Sequence, residues 1–102
     1  MPILRFLEGV NFNSLHLQVL LETPSSKEIR ICMPEGQEMR EHQAPGQIVV
    51  RVLKGRIWFE VGGTRHTLEM GDCIALDANT PHSLGGLEDS VLNLSLHKTS
   101  AH

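Results

Sequence analysis

The 102-residue chain lacks the features that mark disulfide-rich, membrane-spanning and nucleic-acid-binding proteins. Its two cysteines, Cys32 and Cys73, lie singly in apolar runs and form no Cys-x-x-Cys motif, so we expect reduced core thiols and a cytoplasmic protein. No apolar run reaches the roughly eighteen residues of a spanning helix, which argues against a membrane partner. Nine Lys and Arg are scattered among twelve Asp and Glu, and this net charge of −3 argues against nucleic acid.

A long amphipathic helix is also missing, because apolar residues recur at every second position between turn residues. Alternation of this kind runs through residues 15–22, 28–33, 48–53, 56–61, 67–70, 73–76 and 91–96. About eight or nine short strands without helical spacers are typical of a sandwich or barrel. We therefore predict an all-β protein in which residues 1–102 form a single domain.

Six histidines are many for this length, and two of them stand out by their spacing from glycines. His42 lies six residues after Gly36 and thirteen before Gly55, while His82 lies eleven residues after Gly71. A histidine without such a context is more often hydrogen-bonded or solvated than a ligand. We assign that ordinary role to the other four, which are His16, His66, His97 and His102.

The joint register of these glycines and histidines resembles the two motifs of the cupin superfamily. Fifteen residues, 56–70, separate the two motifs, as in small bacterial cupins, and the resemblance covers residues 29–96. It implies a double-stranded β-helix, or jelly-roll, barrel. In the second motif Asn79 stands where a glycine is usual, and asparagine tolerates the positive φ that the turn needs.

Metal-binding cupins hold iron, manganese, nickel or zinc with three histidines and a carboxylate, so the resemblance implies a divalent transition metal at His42 and His82. Ala44 and Ile48 stand at the other two ligand positions and offer no lone pair. Gln47 is the nearest substitute, although strict alternation turns it away unless Pro45 and Gly46 carry a bulge. Further candidate donors are Glu38, Glu41, His16 and His97.

The sequence leaves two functions open. One is a metal-dependent dioxygenase or isomerase, and the other is a non-catalytic barrel that binds a small molecule or acts as a regulatory module without metal. In both, we expect a small-molecule ligand in a barrel lined by Ile48, Val50, Ile57, Phe59 and Leu84. We also expect a homodimer, because Trp58 alternates out of phase with Ile57 and Phe59 and would otherwise be exposed, unless it packs under the N-terminal segment.

Overall fold

Nine β-strands form the regular structure of residues 1–98, the part of the chain that the computed structural model describes, and no helix occurs there. His102, to which the sequence analysis assigns an ordinary hydrogen-bonded or solvated role, is among residues 99–102, which lie outside the described residues. Within residues 1–98 no helix is long and apolar enough to cross a membrane. The strands are β1 (His16–Glu22), β2 (Ser26–Met33), β3 (Glu38–His42), β4 (Ile48–Lys54), β5 (Arg56–Val61), β6 (Thr64–Glu69), β7 (Cys73–Leu76), β8 (His82–Gly86) and β9 (Ser90–His97).

The strands form two antiparallel sheets that face each other as a jelly roll. The five-stranded sheet has the order β1-β2-β9-β4-β7, and the four-stranded sheet has the order β3-β8-β5-β6. This confirms the predicted all-β jelly roll. The alternation pattern missed β3 and β8, because one is rich in charged residues and the other ends in two glycines.

The core lies between the two sheets and is filled by the side chains that alternate inward. Each fully buried aliphatic or aromatic side chain contributes about 1.5–3 kcal/mol relative to an exposed one. The buried cluster consists of Ile31, Met33, Ile48, Val50, Val52, Ile57, Phe59, Leu76, Leu84 and Leu92. The barrel interior is thus packed with side chains from both sheets.

Trp58 covers the outer face of the four-stranded sheet. Its ring lies over Gly85, where an added Cβ would be 2.5 Å from the indole Nε1, so only glycine leaves room for it. The Arg65 guanidinium lies 3.8 Å from the centre of the ring. Trp58 is therefore half-buried by its own sheet, whereas the N-terminal segment lies on the other one. The expected homodimer stays a prediction.

The N-terminal segment, residues 1–13, lies on the outer face of the five-stranded sheet. The guanidinium of Arg30, on β2, donates a hydrogen bond to the carbonyl oxygen of Glu8 in this segment. Cys32, two residues further along β2, is fully buried. The expectation of a buried thiol is therefore correct for Cys32 and wrong for Cys73, which is exposed on the edge strand β7.

Candidate functional site

His42 and His82 face each other across neighbouring strands. In the register of β3 with β8, His42 is the direct partner of His82, and Met39 is the partner of Leu84. Three steps along β3 thus match two along β8, so a bulge adds one residue between Met39 and His42. Because of this extra residue, both Met39 and His42 are on the inner face, which simple alternation would not allow.

The two imidazole rings contact each other at the edge of the apolar core. Their centroids are 4.3 Å apart, with an angle of 60° between the ring planes. On its other side, His82 stacks on Phe59 with 5.4 Å between centroids and only 8° between planes. His82 is 2% exposed and His42 is partly exposed, so a molecule from solvent meets His42 first.

Each histidine is held by a carbonyl group two residues earlier in its own chain. Nδ1 of His42 lies 2.7 Å from the carbonyl oxygen of Arg40, and Nδ1 of His82 lies 2.9 Å from that of Thr80. A carbonyl oxygen only accepts hydrogen bonds, so in both rings Nδ1 carries the proton. In the neutral ring, Nε2 therefore keeps its lone pair for another partner.

Burial lowers the pKa of His82 below its ordinary value of 6.5. The hydrogen bond to the Thr80 carbonyl raises this pKa, and the neighbouring His42 lowers it further. The lowered pKa favours the uncharged imidazole at neutral pH. His82 is accordingly a hydrogen-bond acceptor or weak base, with the acceptor atom at Nε2.

The donor set at the pair does not by itself fit a resident divalent metal. Such an ion is usually held by at least three protein ligands. Ala44 packs against the core and Ile48 is fully buried in it, so aliphatic groups occupy both of the other ligand positions. Among residues 1–98, no three His, Cys, Asp or Glu side chains come together as a metal site, which leaves Glu38, Glu41, His16 and His97 apart from the pair.

Gln47, the proposed substitute ligand, precedes Ile48 on the chain and is exposed. Since Ile48 points into the core, alternation directs Gln47 to the opposite face. The bulge that resets the register lies in β3, whereas Pro45 and Gly46 lie in the loop between β3 and β4. The structure thus brings His42 and His82 together but does not bring Gln47 to them, and its role as a ligand stays a prediction.

The five predicted lining residues all belong to the packed core, with exposures of 0–2%. Among them, Phe59 contacts the pair through its stacking on His82. Whether the others line a ligand site stays a prediction. The full set is Ile48, Val50, Ile57, Phe59 and Leu84.

Asn79 connects the loops of the two predicted motifs. Its φ is +62°, which confirms that it takes the turn position predicted from the sequence. Its backbone N–H donates to the carbonyl oxygen of Ala44 at 2.8 Å. The loop before His82 is thereby fixed to the loop after His42.

Comparisons with known proteins agree with this architecture. A family model described as Cupin domain matches residues 29–95. A search of curated proteins gives no match. The chain is similar in structure to an RmlC-like cupin protein from Desulfovibrio desulfuricans, with TM-score 0.86 and 22% identity over 95% of this chain and 96% of that one.

Two further solved structures are similar. An RmlC-like cupin family protein with a double-stranded β-helix fold from Methanocaldococcus jannaschii gives a TM-score of 0.76 and 15% identity, over 97% of this chain and 90% of that one. A cupin 2 conserved barrel domain protein from Leptotrichia buccalis gives 0.77 and 25% identity, over 87% of this chain but only 43% of that one. These likenesses support the fold and carry no statement about a substrate.

Proposed function

Because the chain belongs to the cupin domain family, we propose that it binds a small polar molecule at the His42–His82 pair without a resident metal ion. The observation that carries this proposal is the anchoring of both Nδ1 atoms to backbone carbonyls, which leaves both Nε2 atoms as acceptors. The aliphatic side chains of Ala44 and Ile48 support it, because they remove two of the ligands that a metal would need.

The chemistry of the pair indicates what kind of molecule it binds. Two imidazoles that accept hydrogen bonds at Nε2 select a ligand with adjacent O–H or N–H donors, as in a polyol, a sugar or an amide. Phe59 and the apolar core behind His82 lower the local dielectric, and this strengthens each hydrogen bond that the ligand makes. The fold by itself does not select a reaction.

Access to the pair is expected at the β3 edge. β3 is hydrogen-bonded to β8 on one side only, and it carries the bulge beside His42. Edge segments with few contacts open more readily than central strands. Opening of β3 would bring His82 within reach of a molecule that already contacts His42.

The test is a thermal-shift screen of untagged protein with a panel of sugars, polyols, amides and hydroxy acids, run in EDTA. We expect at least one compound to raise the melting temperature of the wild type and not that of the His42→Ala/His82→Ala variant. His66→Ala is the matched control, because His66 is exposed on β6 of the same sheet. Circular dichroism of each variant checks that the sheets remain folded.

Elemental analysis of the same proteins, before any EDTA is added, tests the metal site predicted from the sequence. Near-stoichiometric iron, manganese, nickel or zinc in the wild type, lost in the double variant but retained in His66→Ala, would overturn the metal-free proposal. Compounds that stabilise the wild type and the double variant equally would also overturn it, since binding would then not need the pair.

A further inference from the structure

A cleft separate from the histidine pair lies between the N-terminal segment and the outer face of the five-stranded sheet. Its volume is about 450 Å³. Arg30 is on its floor, since the neighbouring Ile31 points into the core and Arg30 therefore points outward. The lining residues are Ile3, Leu4, Arg5, Glu8, Gly9, Gln18, Leu20 and Arg30.

Arg30 is a buried cation without an acidic partner in residues 1–98. It is 6% exposed, and none of the ion pairs formed in this part of the chain includes it. One terminal nitrogen donates to the carbonyl oxygen of Glu8, and the other donates to Oε1 of Gln18 at 2.8 Å. Both acceptors are neutral, so the charge itself is not balanced.

The Nε of Arg30 has no hydrogen-bond partner, although it is buried. Buried donors without partners are rare and costly, and a buried charge is normally paired. A guanidinium offers Nε–H and a terminal N–H side by side, and this fork matches the two oxygens of a carboxylate or a phosphate. A carboxylate or phosphate would therefore match the unpaired group in shape as well as in charge.

The acidic residue closest in sequence to Arg30 on the same face already has other hydrogen-bond partners. Glu28 lies two residues before Arg30, so it shares the outer face, and its Oε1 accepts hydrogen bonds from Asn93 and Ser95. Glu8 is exposed, and its carboxylate pairs loosely with Arg5 at 3.9 Å. Neither glutamate forms an ion pair with Arg30 within residues 1–98, although Glu28 lies beside it, and Arg5 and Glu8 both line the cleft.

We propose that this cleft binds the carboxylate or phosphate group of a small molecule, with Arg30 as the main contact. Ile3, Leu4 and Leu20 give the cleft an apolar wall, which suits a ligand with a short hydrocarbon body. The site is separate from the histidine pair and does not depend on the function proposed above.

The test is calorimetric titration of the full chain with inorganic phosphate, acetate, butyrate and hexanoate at constant ionic strength, with chloride as the reference. We expect saturable binding of phosphate or of the carboxylates, and the comparison distinguishes the two classes. If a carboxylate is bound, each added methylene strengthens binding by up to about fourfold until the apolar wall is filled.

Three variants locate the site. Arg30→Lys keeps the charge but loses the fork, so affinity falls about tenfold or more. Arg5→Gln, at an exposed position, weakens binding by about two- to threefold. It still tests the site if Arg30→Lys does not fold. Arg65→Gln, on the other sheet, leaves binding unchanged.

Two results would overturn the proposal. One is the absence of saturable binding of every probe to the wild type. The other is binding that Arg30→Lys and Arg5→Gln leave as strong as in the wild type, because the anion would then be held elsewhere. NMR shifts confined to residues 3–9, 18–20 and 30 would support it directly.

Discussion

The histidine pair and Arg30 show two ways in which this small protein buries polar groups. His82 lies against Phe59 at the core, and the carbonyl that accepts from it is only two residues away. Arg30 lies on the outer face, and its partners come from residues 22 and 12 positions away. An imidazole can lose its proton and enter a core, whereas a guanidinium keeps its charge and must be covered from outside.

The two sites also differ in how far along the chain the residues that hold them lie. Each histidine is held by a carbonyl two residues earlier in the chain, from Arg40 in β3 and from Thr80 just before β8, so its support is local in sequence. Arg30 depends on the N-terminal segment, which covers the sheet without joining it as a strand. Changes at the core should therefore affect the whole fold, and changes at Arg30 should affect mainly this segment and its cleft.

The largest effect is expected from removal of the Phe59 ring, which stacks on His82. Phe59 is fully buried, so Phe59→Ala should lower the free energy of unfolding by about 3–5 kcal/mol. Urea unfolding followed by circular dichroism measures it, and Phe59→Leu should cost less because it fills more of the cavity. A loss below about 1 kcal/mol for Phe59→Ala would contradict the packed layer described here.

The pH dependence of stability should distinguish His82, which can titrate, from Arg30, which keeps its charge. Because the folded protein lowers the pKa of His82, the unfolded chain takes up its proton first as the pH falls. The contribution of His82 to the free energy of unfolding is fully present above its ordinary pKa of 6.5. It decreases as the pH falls from there towards the lower pKa of the folded state. The neighbouring His42 lowers the pKa of His82 further and so adds to this pH dependence.

The measurement is urea unfolding from about pH 8 to about pH 5, the range around an ordinary histidine. The wild type should lose stability on acidification, and His82→Gln should lose less. Arg65→Gln is the control and should show the slope of the wild type, since neither an arginine nor a glutamine side chain titrates in this range. Equal slopes for the wild type and His82→Gln would show that His82 does not cause the pH dependence.

The smallest expected effect concerns Glu28, beside Arg30. In Glu28→Gln an amide oxygen still accepts from Asn93 and Ser95, so the free energy of unfolding should change by less than about 1 kcal/mol. Loss of the negative charge should strengthen anion binding at Arg30 by about twofold. Titration with the anion that the wild type binds best measures this, and weaker binding would show that Glu28 does not act by charge.

Much of the fold and one part of the site could be predicted from the sequence. Alternation in β2, β4, β5, β7 and β9 predicted the apolar core, whereas in β1 the alternating Leu17 and Val19 are 49% exposed. The resemblance of the His42 and His82 spacing to the cupin motifs implied that the two residues share a site, and they are direct cross-strand partners. The bulge before His42 could not be predicted, because the segment from Met39 to His42 contains neither glycine nor proline to mark an extra residue.

Arg30 shows why the second site could not be predicted from the sequence. In the sequence it is one of nine scattered cations, and alternation between Ile29 and Ile31 indicates only that it points outward. Its burial depends on the N-terminal segment, whose path over the sheet follows no periodic pattern. The signal for it in the sequence is the combination of a charged residue in a buried strand with apolar residues near the start of the chain.

Trp58, which lies on Gly85 under the Arg65 guanidinium, has a practical consequence for spectroscopy. The chain has no tyrosine and no second tryptophan, so its near-ultraviolet emission comes almost entirely from this one indole. Phe59, which stacks on His82, is the next residue along the same strand. The protein thus carries a built-in fluorophore on the sheet that holds both histidines, while the Arg30 cleft lies across the core from it.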